Sequence, residues 1–186
     1  MKKINVSPLL ILLLISYILI EGSFDPLWFL FFSLLHELGH ILAIRLLGGR
    51  IGSFAGGGQG LGLTVNGLSY RGEFLAALAG PFISLLLAGM FALAGHGFFC
   101  YANLALGLMN LLPIFPLDGG RMLRAFLAER LSPDRQRRIT QSVGLVFIFP
   151  LLALAFWQFL SSGYNLSLLF VCLYLIGLIK ENGNDV

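Results

Sequence analysis

A chain of 186 residues that is 58% hydrophobic and only 11% charged, with a mean hydropathy of +0.89, has too few charges to cover a water-soluble globule, in which about 25% is usual. A lipid bilayer is the solvent that suits such a composition, and the length fits one domain. The net charge of +3 raises nucleic acid as a partner, but the placement of the charges excludes it.

Six apolar stretches follow one another, at 6–20, 26–47, 74–94, 98–117, 143–160 and 164–179. The second, third and fourth are long enough for helices that cross a hydrocarbon core of ~30 Å. The first and last are short, and whether they cross fully is left open. Lys2 and Lys3 before the first stretch resemble the start of a signal peptide. However, Ile18-Leu19-Ile20-Glu21 offers no small-residue cleavage pair, so this stretch is expected to be an uncleaved anchor.

Charge placement orients these spans. With both termini cytoplasmic, the cytoplasmic segments hold Lys2, Lys3, Arg45, Arg50, Arg71, Arg121, Arg124, Arg130, Arg135, Arg137, Arg138 and Lys180, which are all 12 basic residues. The opposite side has Glu21, Asp25 and His96. Basic residues gather on the cytoplasmic side of membrane proteins. The basic balance is therefore a topology signal, and no nucleic-acid partner is expected. Cys100 and Cys172 sit in apolar stretches without metal-ligand spacing and read as inert thiols.

Between the second and third stretches the composition changes. Residues 48–72 hold ten of the chain's 23 glycines, and Asn66-Gly67, a dipeptide suited to a two-residue hairpin turn, is flanked by 61–65 and 68–70. On composition alone this is either a flexible linker or a β-hairpin at the membrane surface. In the second case Leu61, Leu63 and Val65 lie on a strand whose edge could hold an extended peptide. The fourth stretch carries Asn103 and Asn110 and ends at Pro113-Ile114-Phe115-Pro116. Two prolines three apart cannot both sit inside a regular helix, so a break is expected near Leu112. Residues 121–131 alternate apolar residues with arginines, the pattern of an interfacial amphipathic helix. Ser132-Pro133-Asp134 reads as a helix start before the fifth stretch.

The chemistry concentrates in the second stretch, at His36-Glu37-Leu38-Gly39-His40. On a helix, residues four apart share a face, so the imidazoles of His36 and His40 can grip one tetrahedral ion. Glu37 beside them is placed to take a proton from a water that the metal activates. Each ionisable residue deep in a bilayer costs about 3 kcal/mol, and three within five positions are hard to explain as mere helix-to-helix hydrogen bonding. A catalytic zinc wants a third protein ligand and an open position. Asp118 is the acid near the end of another long stretch. His40 lies 14 residues past Pro26, and Leu112 lies 14 past Phe98. Both points are therefore about 21 Å into the membrane at 1.5 Å per residue. The alternative for Asp118 is to cap the following helix.

Three ordered segments resemble the site-2 protease family of intramembrane zinc metalloproteases. They are His36-Glu37-Leu38-Gly39-His40, Leu78-Ala79-Gly80-Pro81, and Asn110-Leu111-Leu112-Pro113-Ile114-Phe115-Pro116-Leu117-Asp118-Gly119-Gly120-Arg121. Within the family the similarity is greatest to the bacterial branch of the sporulation factor IVFB protease, and it covers residues 27–121. The resemblance implies one Zn2+ held by His36, His40 and Asp118, with Glu37 as general base. It also implies Asn110 near the scissile carbonyl and a membrane-associated hairpin between the first two core helices. Two departures are expected: no cystathionine-synthase-type regulatory domain after the sixth stretch, and no room for a PDZ domain.

The expected architecture is an all-α membrane protein of about six transmembrane helices, with a small β-hairpin between the second and third. It forms a single domain over 1–186, with its core at 26–121 and further helices at 6–20 and 133–180. The expected activity is hydrolysis of a peptide bond in a membrane-spanning or membrane-associated substrate near the cytoplasmic side of a bacterial cell membrane. The partners are the lipid bilayer, a transmembrane protein substrate and, where regulation requires it, a membrane regulatory partner. A metal-ion transporter would also place His and acids in its spans, but it needs neither Glu37 between the ligands nor the prolines beside Asp118. An inactive membrane scaffold would tolerate loss of one of these residues. His96, in a short outer loop, reads as solvated or interfacial, and Asn103 as a helix-to-helix hydrogen bond.

Overall fold

The computed structural model describes residues 25–57, 60–161 and 167–184, so the stretch at 6–20 lies outside the described residues. The chain is mostly helical. Helix α1, Asp25–Leu46, has an acid in its first turn and Arg45 in its last, both favourable to the helix dipole. It ends where Gly48 takes φ 78°, a conformation that costs glycine nothing. The amides of Gly48 and Gly49 then close back on the carbonyls of Arg45 and Ile44.

Strands β1, Arg50–Gly57, and β2, Gly60–Asn66, follow and pair antiparallel from Arg50↔Asn66 to Gly57↔Gly60. This corrects the expected turn, because the chain reverses between Gly57 and Gly60 rather than at Asn66-Gly67. Gly67, at φ 86°, instead ends β2. Residues 68–70 form no strand, because Ser69 is committed as the N-cap of the next helix and its hydroxyl accepts from the Gly72 amide at 3.2 Å. An irregularity between Ile51 and Phe54 shifts the register within β1.

Helix α2, Tyr70–Leu93, is the hub, with α1, α3 and α4 packed against it. It ends before Gly95, at φ 75°, and α3, Gly97–Leu111, returns antiparallel. Phe32 of α1, Phe91 of α2 and Phe99 of α3 pack their rings with centroids 5.2–5.6 Å apart at one end of this three-helix core. At 15 residues, α3 is about 22 Å long. It stops where the proline pair was expected to break it, short of the end of the 98–117 stretch, because Leu112 turns extended (φ −58°, ψ 133°) as a residue before proline must. The helices long and apolar enough to cross a membrane, among the described residues, are 27–46, 70–93 and 133–161. The fifth stretch thus replaces the fourth in that expectation.

After the break, Ile114 bonds Leu112 and Leu117 bonds Ile114 in a tight turn that contains a cis Phe115-Pro116 peptide. Helix α4 begins at Asp118 rather than at 121 and runs Asp118–Ala128. Its first turn is pressed onto the backbone of the break. A Cβ on Gly119 would overlap the Leu111 carbonyl, and one on Gly120 would come within 2.6 Å of the Ile114 carbonyl carbon. Real Cβ atoms do not tolerate such approaches, so the glycine pair is what lets α4 fold back over the end of α3 and bring Asp118 inward.

Helix α5, Pro133–Ser161, starts as the Ser132-Pro133-Asp134 motif predicts, and α6, Ser167–Asn184, packs beside it. The two meet the break through Ile114, Ile148, Leu151, Ala155, Cys172 and Leu175, a continuous apolar cluster. On the other side of the break the Arg124 guanidinium lies 3.6 Å over the Phe115 ring, a cation–π contact. Gln136 of α5 donates to the Arg124 carbonyl at 2.6 Å, so α4, the break and α5 are tied together. Burial, and then the nearby charge of Arg137, lower the Arg124 guanidinium from the usual arginine range.

Candidate metal centre

His36 and His40 lie on the inward face of α1, one turn apart, and both are buried. The carbonyl of Ala76 in α2 can only accept, and it lies 2.7 Å from His40 Nδ1. Nδ1 therefore carries the proton, and in the neutral ring Nε2 keeps its lone pair. That lone pair faces His36 Nε2 at 3.2 Å and Asp118 Oδ2 at 3.1 Å. His36 Nε2 is 3.0 Å from the same Asp118 oxygen, while its Nδ1 meets the Ser84 hydroxyl at 2.9 Å. With the Ser84 oxygen accepting from Nδ1–H, the second ring is fixed in the same tautomer.

In these tautomers three acceptor atoms face one another in a buried site, an arrangement that a shared cation makes favourable. Around a tetrahedral zinc with bonds of about 2.0–2.2 Å, neighbouring ligand atoms lie about 3.3–3.5 Å apart. The observed 3.0–3.2 Å triangle is close to that spacing. The His36, His40 and Asp118 cluster fits a zinc ion, and each histidine has the partner on its other nitrogen that metal-ligating imidazoles normally have. Asp118 does not cap α4 with its side chain. The N-cap is Leu117, with no side-chain cap bond, and the second carboxylate oxygen of Asp118 accepts from Arg121 Nη1 at 3.1 Å.

The other predicted residues take different places. Glu37, one step around the helix from His36, is exposed beside the buried cluster. Asn110 is half-buried and donates to the Leu106 carbonyl of its own helix at 3.0 Å. Asn103 likewise donates within its helix, to the Phe99 carbonyl at 2.9 Å, rather than across helices as expected, and its buried Oδ1 has no partner among the described residues. Leu61, Leu63 and Val65 lie on β2, opposite Gly56, Phe54 and Ile51.

Sequence reasoning assigned no role to four groups that shape the site. Ser84 and the Ala76 carbonyl orient the two rings, and Arg121 holds the far oxygen of Asp118. Gly80 is the fourth: a Cβ there would overlap His40 Nε2 and lie 2.6 Å from His36 Nε2. Gly80 and Arg121 do lie in the segments that carry the family resemblance, and 76, 80 and 84 are four apart and so share one face of α2.

Residues 94–151 match the profile of peptidase family M50. The matched segment includes the break and Asp118. The chain is also 30% identical over 144 residues to the zinc metalloprotease MJ0392 of Methanocaldococcus jannaschii, covering 64% of this chain and 40% of that protein. It is 30% identical over 166 residues to stage IV sporulation protein FB of Bacillus subtilis, covering 78% of this chain and 54% of that protein. The chain is thus similar to peptidase family M50, the site-2 proteases, over its Asp118 segment and to relatives named as zinc metalloproteases. It spans about half or less of the length of these two relatives. The fold is that of the site-2 protease from Methanocaldococcus jannaschii, with a TM-score of 0.69 over 96% of this chain and 88% of that one at 23% identity. In this chain, then, α1 and α4 bring the candidate ligand atoms together and α2 backs them.

Gly80→Ala is expected to put a methyl group where the imidazole nitrogens converge. The purified full-length variant should lose most of its zinc, measured as metal per chain by atomic emission, while Gly89→Ala, in the same helix with nothing within 4 Å of its Cβ position, should keep it. Full zinc content in Gly80→Ala would show that the nitrogens do not converge on the metal.

Proposed function

We propose that the chain is an intramembrane zinc metalloendopeptidase that cuts a membrane-spanning or membrane-associated substrate near the cytoplasmic side of a bacterial cell membrane. The observation that carries this reading is the convergence of His36 Nε2, His40 Nε2 and Asp118 Oδ2 from two helices in a buried site. His36, His40 and Asp118 hold the metal. When bound, zinc supplies a water of lowered pKa and an electrophile for the substrate carbonyl. Glu37 accepts the proton of the attacking water at its carboxylate and returns it to the departing amine. Its exposed place beside the cluster keeps it open to a substrate arriving from outside the core. Asn110 donates from Nδ2 to the developing oxyanion. The whole of 1–186 works as one domain, with the core at 26–121 and supporting helices at 6–20 and 133–180.

In this reading the chain crosses the membrane about six times, with both termini and the β1–β2 segment cytoplasmic, since all 12 basic residues then fall on one side. A transmembrane substrate keeps its carbonyls bonded within its own helix, because lipid offers no other partner. The substrate therefore unwinds locally and lies extended on β2 at Leu61, Leu63 and Val65, where new backbone bonds replace those it lost. A regulatory membrane partner is compatible with this surface.

Glu37→Gln should keep one zinc per chain and lose hydrolysis, because it changes the base and leaves the ligands. His36→Ala, His40→Ala and Asp118→Ala should lose most of the metal. Paired zinc assays and peptide-bond cleavage assays in lipid vesicles check this, and full metal and activity in Asp118→Ala would sink the ligand set. In a chain lacking Cys100 and Cys172, a membrane-impermeant maleimide applied to intact cells should label Ala94→Cys and not Ser132→Cys. Labelling of position 132 would reverse the orientation. Proline placed at Leu63 should slow cleavage of a helical substrate several-fold at unchanged zinc content, and an unchanged rate would return residues 48–72 to the role of a linker.

A further inference from the structure

The two oxygens of the Asp118 carboxylate have different partners. Oδ2 faces the two imidazole nitrogens at 3.0 and 3.1 Å, whereas Oδ1 is turned away from them and accepts from Arg121 Nη1 at 3.1 Å. The aspartate is buried, while the arginine side chain is 38% exposed. A carboxylate can bind a cation through one oxygen or both. Two nitrogens and two carboxylate oxygens would fill the four positions that zinc usually has, leaving none for water, whereas two nitrogens and one oxygen leave the open position that a catalytic site needs.

We propose that Arg121 is a positioning residue that keeps Asp118 a one-oxygen ligand, and so keeps the fourth position of the metal open. This rests on the metalloprotease reading above and adds a role to it. The geometry favours it in two ways. Arg121 is three residues after Asp118 in the first turn of α4, so its side chain reaches back over the carboxylate. The same turn is pinned by Gly119 and Gly120 against the backbone of Leu111 and Ile114, so the backbone that carries Asp118 and Arg121 is held in one place. A charge-assisted N–H bond to Oδ1 occupies the oxygen that would otherwise compete for the metal.

The competing explanation is a surface helix pair of the i,i+3 kind, which contributes little to stability and nothing to the metal. The two are separated with the full-length chain in detergent, using Co2+ as a spectroscopic probe and Zn2+ for affinity. In Arg121→Gln the visible absorption of bound Co2+ should fall and shift as the site gains a ligand. Zinc affinity, read by chelator competition, should change by about 10–100-fold, as is usual for groups that hold a metal's ligands. Arg121→Lys should recover part of the natural spectrum, since it restores a donor and a charge without the planar fork. Thermal unfolding of the metal-free proteins should be nearly the same for all three. A Co2+ spectrum and zinc affinity in Arg121→Gln equal to those of the natural chain would overturn the role of Arg121 alone, as would a loss confined to metal-free stability. Failure of the natural chain to bind Co2+ or Zn2+ would overturn the metalloprotease reading, and this role with it.

Discussion

Three acceptor atoms, two imidazole nitrogens and one carboxylate oxygen, lie within 3.2 Å of one another at the centre of this chain. Burying them costs several kcal/mol unless a cation is shared among them, and most of the surrounding structure can be read as the means of holding them there. Helix α1 supplies the nitrogens because its two histidines fall one turn apart. Helix α4 supplies the oxygen because α3 stops at Leu112 and the glycine pair lets the chain fold back against its own backbone.

Helix α2 contributes no ligand atom to the cluster and yet determines its shape. The carbonyl of Ala76 fixes the tautomer of His40, and the hydroxyl of Ser84 holds the outer nitrogen of His36. Between them, Gly80 leaves room where any side chain would collide with both rings. Between the two histidines of α1, Gly39 lets the two helices approach closely, since a Cβ there would come within 3.0 Å of the Ala79 carbonyl. The same device, a missing side chain at a close approach, recurs at Gly107 of α3 against Leu85 and Ser84. Tight helix packing through small residues is the usual way for helices to associate in lipid, where apolar burial gives no driving force.

The division of the chain follows from this. Helices α1 to α4 enclose the cluster, while α5 and α6 form an apolar pair that supports the break from the other side through Ile114. Arg124 joins the two parts through Phe115 and Gln136. The ligand-bearing turn is thus gripped on both faces, which is the rigidity that a coordination site of fixed geometry needs.

Much of this was legible in the residues themselves. The spacing of His36 and His40, the apolar stretches, the proline break and the helix start at Pro133 depend on local geometry, where 3.6 residues per turn and the fixed φ of proline leave little choice. The pairing of β1 with β2 was not legible, because Asn66-Gly67 serves as well to leave a strand as to turn between two, and the cap demanded by Ser69 decided between them. The roles of Gly80, Ser84 and Arg121 were hidden for a related reason. Singly, a glycine, a serine and an arginine are not distinctive, and what they do depends on atoms 3 to 48 residues away in the chain. The sequence by itself determined which residues are the candidates for the chemistry and roughly where the helices lie. The tertiary structure alone decided which atoms of those residues face one another, because that depends on how closely the helix backbones approach.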